Sequence, residues 1–411
     1  MLNAEEVATQ PVSRSALVLP ARGSLRYSLL MAFACVAGVR LFLTLYLAGA
    51  ALLFPQPGLR QQYAGTGVRL LDTGWEGALL GVWQREDALW YEKIATVGYS
   101  VHDMTTQSFP LLPVLMRLLS LATGMHPVAA GIVVSEVSLL LALFLLHRLL
   151  LPDFGPDVAN RSLVYLSLFP TAFFLHGPFT ESLMLALVMG SFFLVSRGHW
   201  GWAAATAYLA GLTRPQGVVL GVALAVDYLL AGDTFRHWRA FRRGAGPALR
   251  SLVLLVAPLL GFGTFLLLVD TPWRRPGVPT TIGPAAFQSL VPPFVTLVYS
   301  VRQLLEGVVY PIEVFNLVTA VVFLALLAGS FPRLGAGYAV AGVLFYMLPL
   351  SRLLPGFPLM SFSRYALLVF PCFVVLAIWG QRKWVHLTVI FLWLWWLVVW
   401  SFEFYTGYFV G

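Results

Sequence analysis

The feature that most constrains this chain is the recurrence of long apolar runs, the first at residues 28–54 and the last at 384–404, with short arginine-bearing breaks between them. A run of ~20 apolar residues crosses a bilayer as a helix, because a helix satisfies its own backbone hydrogen bonds where no water is present. Between the first and last runs come others at 128–150, 161–175, 180–197, 200–213, 216–231, 250–270, 311–331, 335–350 and 364–380. Together they predict about eleven spans. Several runs are too short for a straight crossing, so broken or re-entrant helices are expected among them. Charged residues are only 11% of the 411, against roughly 25% in a soluble domain. Too few polar side chains remain to cover a water-soluble globule, and the expected fold class is an all-α polytopic membrane protein.

Both cysteines, Cys35 and Cys372, lie inside apolar runs, which excludes a disulfide framework and a Cys-rich metal site. The net charge of +8 is dispersed between the runs and is not gathered on one face, so it reads as a topology signal and not as a nucleic-acid surface. Residues 1–27 lack an apolar core ahead of a small-residue cleavage site and are expected to be a retained cytoplasmic segment. If the spans alternate, Arg14, Arg22, Arg26, Arg148, Arg161, Arg197, Arg333, Arg382, Lys383 and the basic run at 232–249 share one side. Cytoplasmic loops hold such an excess, and the basic run reads as an anchor against anionic headgroups. The chain then divides into the segment 1–27, a first transmembrane helix at 28–54, an outer loop at 55–127, a helix bundle at 128–404 and an outer tail at 405–411.

The outer loop holds WQREDALWYEKIATVGYS, which reads as a short helix near the membrane surface. Asp87, Trp90, Tyr91, Ile94, Ala95 and Gly98 recur at helical spacing and form one stripe, with Glu92 and Lys93 elsewhere. A carboxylate on an apolar stripe is costly unless it is paired or used. Glu86 next to it can serve the helix dipole by itself, which marks Asp87 as a functional candidate. A second short helix is expected from Pro110 onward. His102 and Asp103 are adjacent, but a metal site needs a third and fourth ligand, so no metal and no cofactor is assigned. The chain also lacks the paired aspartates of a hydrophilic domain that hold a soluble nucleotide sugar through a metal, which favours a lipid-borne donor.

The segments EDALWYEKIATVGY, SFPLLPVLMRLLS, FPTAFFLHGPFTESLMLAL, GLTRPQGVVLGVAL and SFSRYALLVFPCFVVLA, in that order over roughly residues 80–380, resemble the PIG-V family of polytopic mannosyltransferases. The resemblance implies a GT-C fold and a glycosyltransferase drawing mannose from a polyprenyl or dolichyl phosphate on the extracytoplasmic or lumenal face. It also implies that Asp87, before the Trp90–Tyr91 pair, is the loop acid acting as general base. Glu86 stands where the family pattern has an aromatic residue and is kept as the alternative base.

Such a reaction needs a base for the acceptor hydroxyl and positive charge for the departing phosphate. Arginines on the outer side are exceptions to the positive-inside rule, so Arg214 in TRPQG, Arg364 in SFSRY, and Arg274 and Arg275 in TPWRRPG are candidates to bind the donor phosphate. Tyr365 can donate beside Arg364. Arg364 is expected to open a helix, and Thr180 to cap the helix that begins with Glu181. Trp90, Tyr91, His176 and Glu181 complete the set as substrate-binding candidates.

The expected partners are a polyprenyl-phosphate sugar, a glycolipid or other hydroxyl acceptor, and membrane lipids. The compact N-terminus and length favour a prokaryotic plasma membrane over the endoplasmic reticulum. Two rival readings share the same features: a GT-C enzyme for another lipid-phosphate sugar, and a transporter or flippase for a lipid-linked sugar. A transporter typically shows an internal repeat and paired broken helices, and no such repeat stands out.

Overall fold

The computed structural model describes residues 21–56, 58–100, 103–230, 246–269, 290–307, 310–354 and 356–410. Arg274, Arg275, His102, residues 1–20 and most of the basic run lie outside the described residues.

The protein is an all-helical, polytopic membrane protein. Among the described residues the β structure is limited to one isolated bridge between Leu290 and Arg352. The helices are α1 (Leu25–Leu53), α2 (Leu59–Gln62), α3 (Gly74–Leu79), α4 (Asp87–Val97), α5 (Leu111–Thr123), α6 (Pro127–Leu168), α7 (Thr180–Ser196) and α8 (Trp200–Gly211). They continue with α9 (Gln216–Leu230), α10 (Gly246–Leu268), α11 (Pro293–Leu305), α12 (Pro311–Ser330), α13 (Ala336–Leu350), α14 (Phe362–Ala366), α15 (Phe370–Trp379) and α16 (Lys383–Thr406). Five of them, α1, α6, α10, α12 and α16, are long and apolar enough to cross a membrane.

The sequence runs at 128–150 and 161–175 fall on two helical arms of α6. The arms meet between Pro152 and Pro156 at Gly155, whose φ of 71° and ψ of 175° are not helical and are open to a residue without Cβ. Residues 169–179 then leave the helix in a tight connection containing a 3₁₀ turn at Ala172–Leu175. The run at 364–380 is likewise broken into α14 and α15.

α6 packs along α1 and α7 at the centre of the bundle, with buried residues from Val128 to Leu150 on one arm and from Val158 to Ser167 on the other. The two ends of α1 identify the two ends of the molecule. Near its start, Arg22 pairs with Asp157 and Arg148 donates to the Gly23 carbonyl. Near its finish, Tyr405 Oη donates to the Phe54 carbonyl at 2.8 Å, and Arg85 donates to the Tyr405 carbonyl. The loop helices and the C-terminal tail therefore share the end of the bundle remote from Arg22 and Arg148.

Candidate functional site

α4 forms where the sequence pattern places it, but its register differs from the expected stripe. Ala88, Leu89, Tyr91, Ile94 and Ala95 are buried, and so is Glu92. Asp87 is the first residue of the helix, and its side chain is 47% exposed. The expectation that Asp87 shares the apolar stripe is thus corrected: Ala88 and Leu89 take the packed face in the first turn, and the Asp87 carboxylate stands at its edge. Trp90 is half-buried, and Lys93 Nζ lies 5.8 Å from its ring centroid.

Asp87 meets Arg364 from α14, whose Nη1 donates to Asp87 Oδ2 at 2.8 Å. The same guanidinium donates through Nε to Glu181 Oε1 at the start of α7, and Arg214 Nη1 donates to that same oxygen from the turn between α8 and α9. Four sequence-separated segments thereby converge on one cluster of two arginines and two carboxylates. Arg364 is 3% exposed and the Glu181 side chain is wholly buried. The Phe174 and Phe179 rings flank the Arg364 guanidinium at 4.5 and 5.1 Å, and the Tyr365 ring lies 5.0 Å from that of Arg214. Such stacking suits a planar delocalised cation and holds it without neutralising it.

Several buried polar atoms here have no protein partner: Arg364 Nη2, Glu181 Oε2, Thr180 Oγ1, Ser363 Oγ and Gln216 Oε1. Buried donors and acceptors are ordinarily satisfied, so a group of orphans on adjoining residues marks a place built for a polar ligand. Tyr91 is buried against this cluster, and burial, with Asp87 nearby, drives its phenol well above the ordinary range.

Arg364 is the third residue of the five-residue α14, so it lies in the first turn as much as in the last. One detail of the expected geometry is corrected. Thr180 does not cap α7; Phe179 occupies the cap position, Thr180 is already helical, and its hydroxyl is one of the orphans.

Glu86 sits differently from Asp87. It has a φ of 49°, in the left-handed region that a side chain rarely adopts. This turns its carboxylate inward, where it is 5% exposed, Oε1 accepts from the Val410 backbone N–H at 3.0 Å, and Oε2 lies 4.0 Å from Arg364. It ties the C-terminal tail to the start of α4.

His176 is not in this cluster. It belongs to a second buried network, where its Nδ1 lies 3.0 Å from Glu136 Oε1 on α6 and Arg40 on α1 donates to its backbone carbonyl at 2.9 Å. Arg40 Nη1 also lies 3.4 Å from Glu136 Oε1, under the Trp83 ring. Neither Arg40 nor Glu136 was singled out from the sequence. The available signal was a charge inside each of the runs 28–54 and 128–150, which is rare unless paired or used.

In the loop, Glu92 is held by Gln84, whose Nε2 donates to it at 2.7 Å. Burial raises the Glu92 carboxyl to about 7. Asp103 pairs with Lys93 at 2.9 Å, and Asp72 with Arg60. Among the described residues no group of three or more His, Cys, Asp or Glu side chains is placed to hold a metal ion.

No protein-family model matches the chain, and no curated protein matches it. Neither comparison confirms the resemblance to the PIG-V family. Among solved structures the chain is similar to the crystal structure of ArnT from Cupriavidus metallidurans bound to undecaprenyl phosphate. The identity is 17% and the TM-score 0.45, covering 88% of this chain and 76% of that one. A likeness that distant carries no argument about what this protein does.

Proposed function

We propose that the protein is a membrane-embedded, inverting glycosyltransferase of the GT-C kind, moving mannose from a polyprenyl phosphate to a hydroxyl of a glycolipid acceptor. The observation that carries this reading is the pairing of a half-exposed Asp87 with a buried Arg364 that retains an unpartnered N–H edge. Base and cation sit on one guanidinium-spanned site, as displacement of a phosphate from a sugar requires.

Asp87 gives one oxygen to Arg364 and keeps Oδ1 for the acceptor hydroxyl. As the hydroxyl oxygen attacks the anomeric carbon, its proton passes to Asp87, and the bond from that carbon to the phosphate oxygen breaks with its electron pair leaving on the phosphate. Attack from the face opposite the phosphate inverts the centre, so a β-linked donor yields an α-mannoside. The departing phosphate needs positive charge and no acid. Arg364 Nη2 and Arg214 supply it from an apolar, ring-walled setting where charge is weakly screened. Glu181 holds the two guanidinium groups beside one another, offsetting their repulsion without neutralising both.

The remote position of Arg22 and Arg148 supports an N-terminus on the cytoplasmic side and a site on the outer side. A prokaryotic plasma membrane is the proposed location.

The test is transfer in proteoliposomes from polyprenyl phosphate β-mannose to a panel of octyl glycosides, with the product anomer read by NMR. An α-mannoside product is expected. No transfer to any acceptor, or a β product, refutes the reading.

A further inference from the structure

The loop before α4 carries a cavity of about 410 Å³ that the reaction above does not use. This volume lies within the range of about 300–1,000 Å³ common to small-molecule sites. Its polar wall is formed by Arg60, Tyr63, Arg69, Asp72, Thr73 and Glu76. Two cations and two carboxylates balance, which fits neither a polyanion, which would meet Asp72 and Glu76, nor a cation, which would meet both arginines. The polar wall is equally unsuited to a lipid tail. A neutral ligand rich in hydroxyls satisfies all of these groups, because each hydroxyl both donates to a carboxylate and accepts from a guanidinium.

The cavity is tied to the catalytic end by two connections. Tyr63 is hydrogen-bonded to the backbone of Glu86, the residue before Asp87. Gln84 accepts from the Leu71 N–H at 2.7 Å, donates to the Arg69 carbonyl at 3.2 Å, and reaches Glu92 on α4 at 2.7 Å. The wall of the cavity and the helix bearing Asp87 are thus held to each other through buried hydrogen bonds. At its rim, Arg60 Nη2 donates to Asp72 Oδ1 at 2.6 Å, which aligns a planar pair whose free edges suit adjacent hydroxyls.

We infer that this cavity binds the uncharged, polyhydroxylated head group of the acceptor, a carbohydrate. The inference rests on the transferase reading for the word acceptor, but not for the carbohydrate.

The test separates the two. Full-length protein in a zwitterionic, non-glycosidic detergent is mixed with methyl α-mannopyranoside or methyl β-glucopyranoside, and saturation transfer from protein to sugar is measured by NMR. Wild type is expected to saturate at least one sugar, and Asp72→Asn and Arg69→Gln to weaken its binding at least tenfold. Both positions are exposed, so these variants keep the fold, and thermal unfolding checks that they do. In the transfer assay the same variants are expected to raise the acceptor KM by a similar factor.

No saturation transfer with wild type, undiminished transfer in both variants, or displacement of the sugar by equimolar inorganic phosphate overturns the assignment. Mannosyl transfer with an unchanged acceptor KM in both variants likewise overturns the site while leaving the enzyme reading intact. Sugar binding that depends on Asp72 and Arg69 in a protein that transfers nothing upholds the carbohydrate site and refutes the transferase.

Discussion

Replacing Asp87 with Asn separates catalysis from stability, because the two depend on different features of the same contact. Asn keeps the shape and can still accept from Arg364, but it cannot take a proton from a hydroxyl. Loss of a general base costs about 10²–10⁴ in rate, which at 1.36 kcal/mol per tenfold is about 2.7–5.4 kcal/mol of barrier. The stability cost is far smaller. Asp87 is 47% exposed and makes one 2.8 Å ion pair, and pairs screened by water contribute about 1 kcal/mol or less. Arg364 also keeps its bond to the buried Glu181. The unfolding midpoint is therefore expected to fall by no more than about 2–4 °C, followed with a thiol-reactive dye that reports exposure of the buried Cys372. The Glu86→Gln variant is the matched control. Glutamine still offers an oxygen to the Val410 N–H, so its rate is expected to stay near wild type. Initial rates with saturating donor in proteoliposomes decide the matter. If Asp87→Asn retains more than a tenth of the wild-type rate, or if Glu86→Gln is the inactive variant, the assignment of the base is wrong.

Glu181→Gln removes the carboxylate shared by two buried guanidinium groups, and leaving them uncompensated should cost about 3–5 kcal/mol, read as a large drop in unfolding midpoint. Glu92 has a carboxyl raised by burial to about 7 from a usual 4.5. The folded state therefore binds the extra proton between those values, and stability falls as pH rises through this window, by on the order of 3 kcal/mol in all. The nearby His126, 3.7 Å away, is itself shifted down by burial, so it does not supply a compensating charge as Glu92 ionises. Unfolding midpoints from pH 4.5 to 8 should fall more steeply in wild type than in Glu92→Gln; an equal slope in both refutes the point. Gly177→Ala places a Cβ 2.7 Å from both the Trp83 and Phe179 rings. Overpacking of that kind costs about 1–3 kcal/mol, and because Phe179 flanks Arg364, the donor KM is expected to rise with it.

The separation of Asp87 from Glu86 shows where reading a sequence stops. Both acids stand at the start of a short helix, and periodicity put Asp87 on a buried stripe with Glu86 free for the helix dipole. The fold does the reverse: positive φ at Glu86 turns its carboxylate in against Val410, 324 residues along the chain, and Asp87 is left at the edge. No local pattern carries a contact of that sequence separation. His176 makes the same point, since its partners Arg40 and Glu136 come from two other helices and draw it away from the cluster around Asp87.

What the sequence by itself determined was the class of molecule, the existence of α4, and the list of charges that had to be explained. Lipid leaves an apolar chain few choices: backbone polar groups must be satisfied internally, so apolar runs become helices, and every charge left among them needs a partner or a use. Which charges meet was decided only by tertiary structure. Arg364, Glu181, Arg214 and Asp87 lie on four separate segments, and their convergence depends on the bend of α6 at Gly155, the tight connection at 169–179 and the break between α14 and α15. Each interruption is marked locally, by Pro152, Gly155 and Pro156, by Pro170, Gly177 and Pro178, and by Pro371, but which charges those breaks bring together is set by packing, and packing is a property of the whole chain.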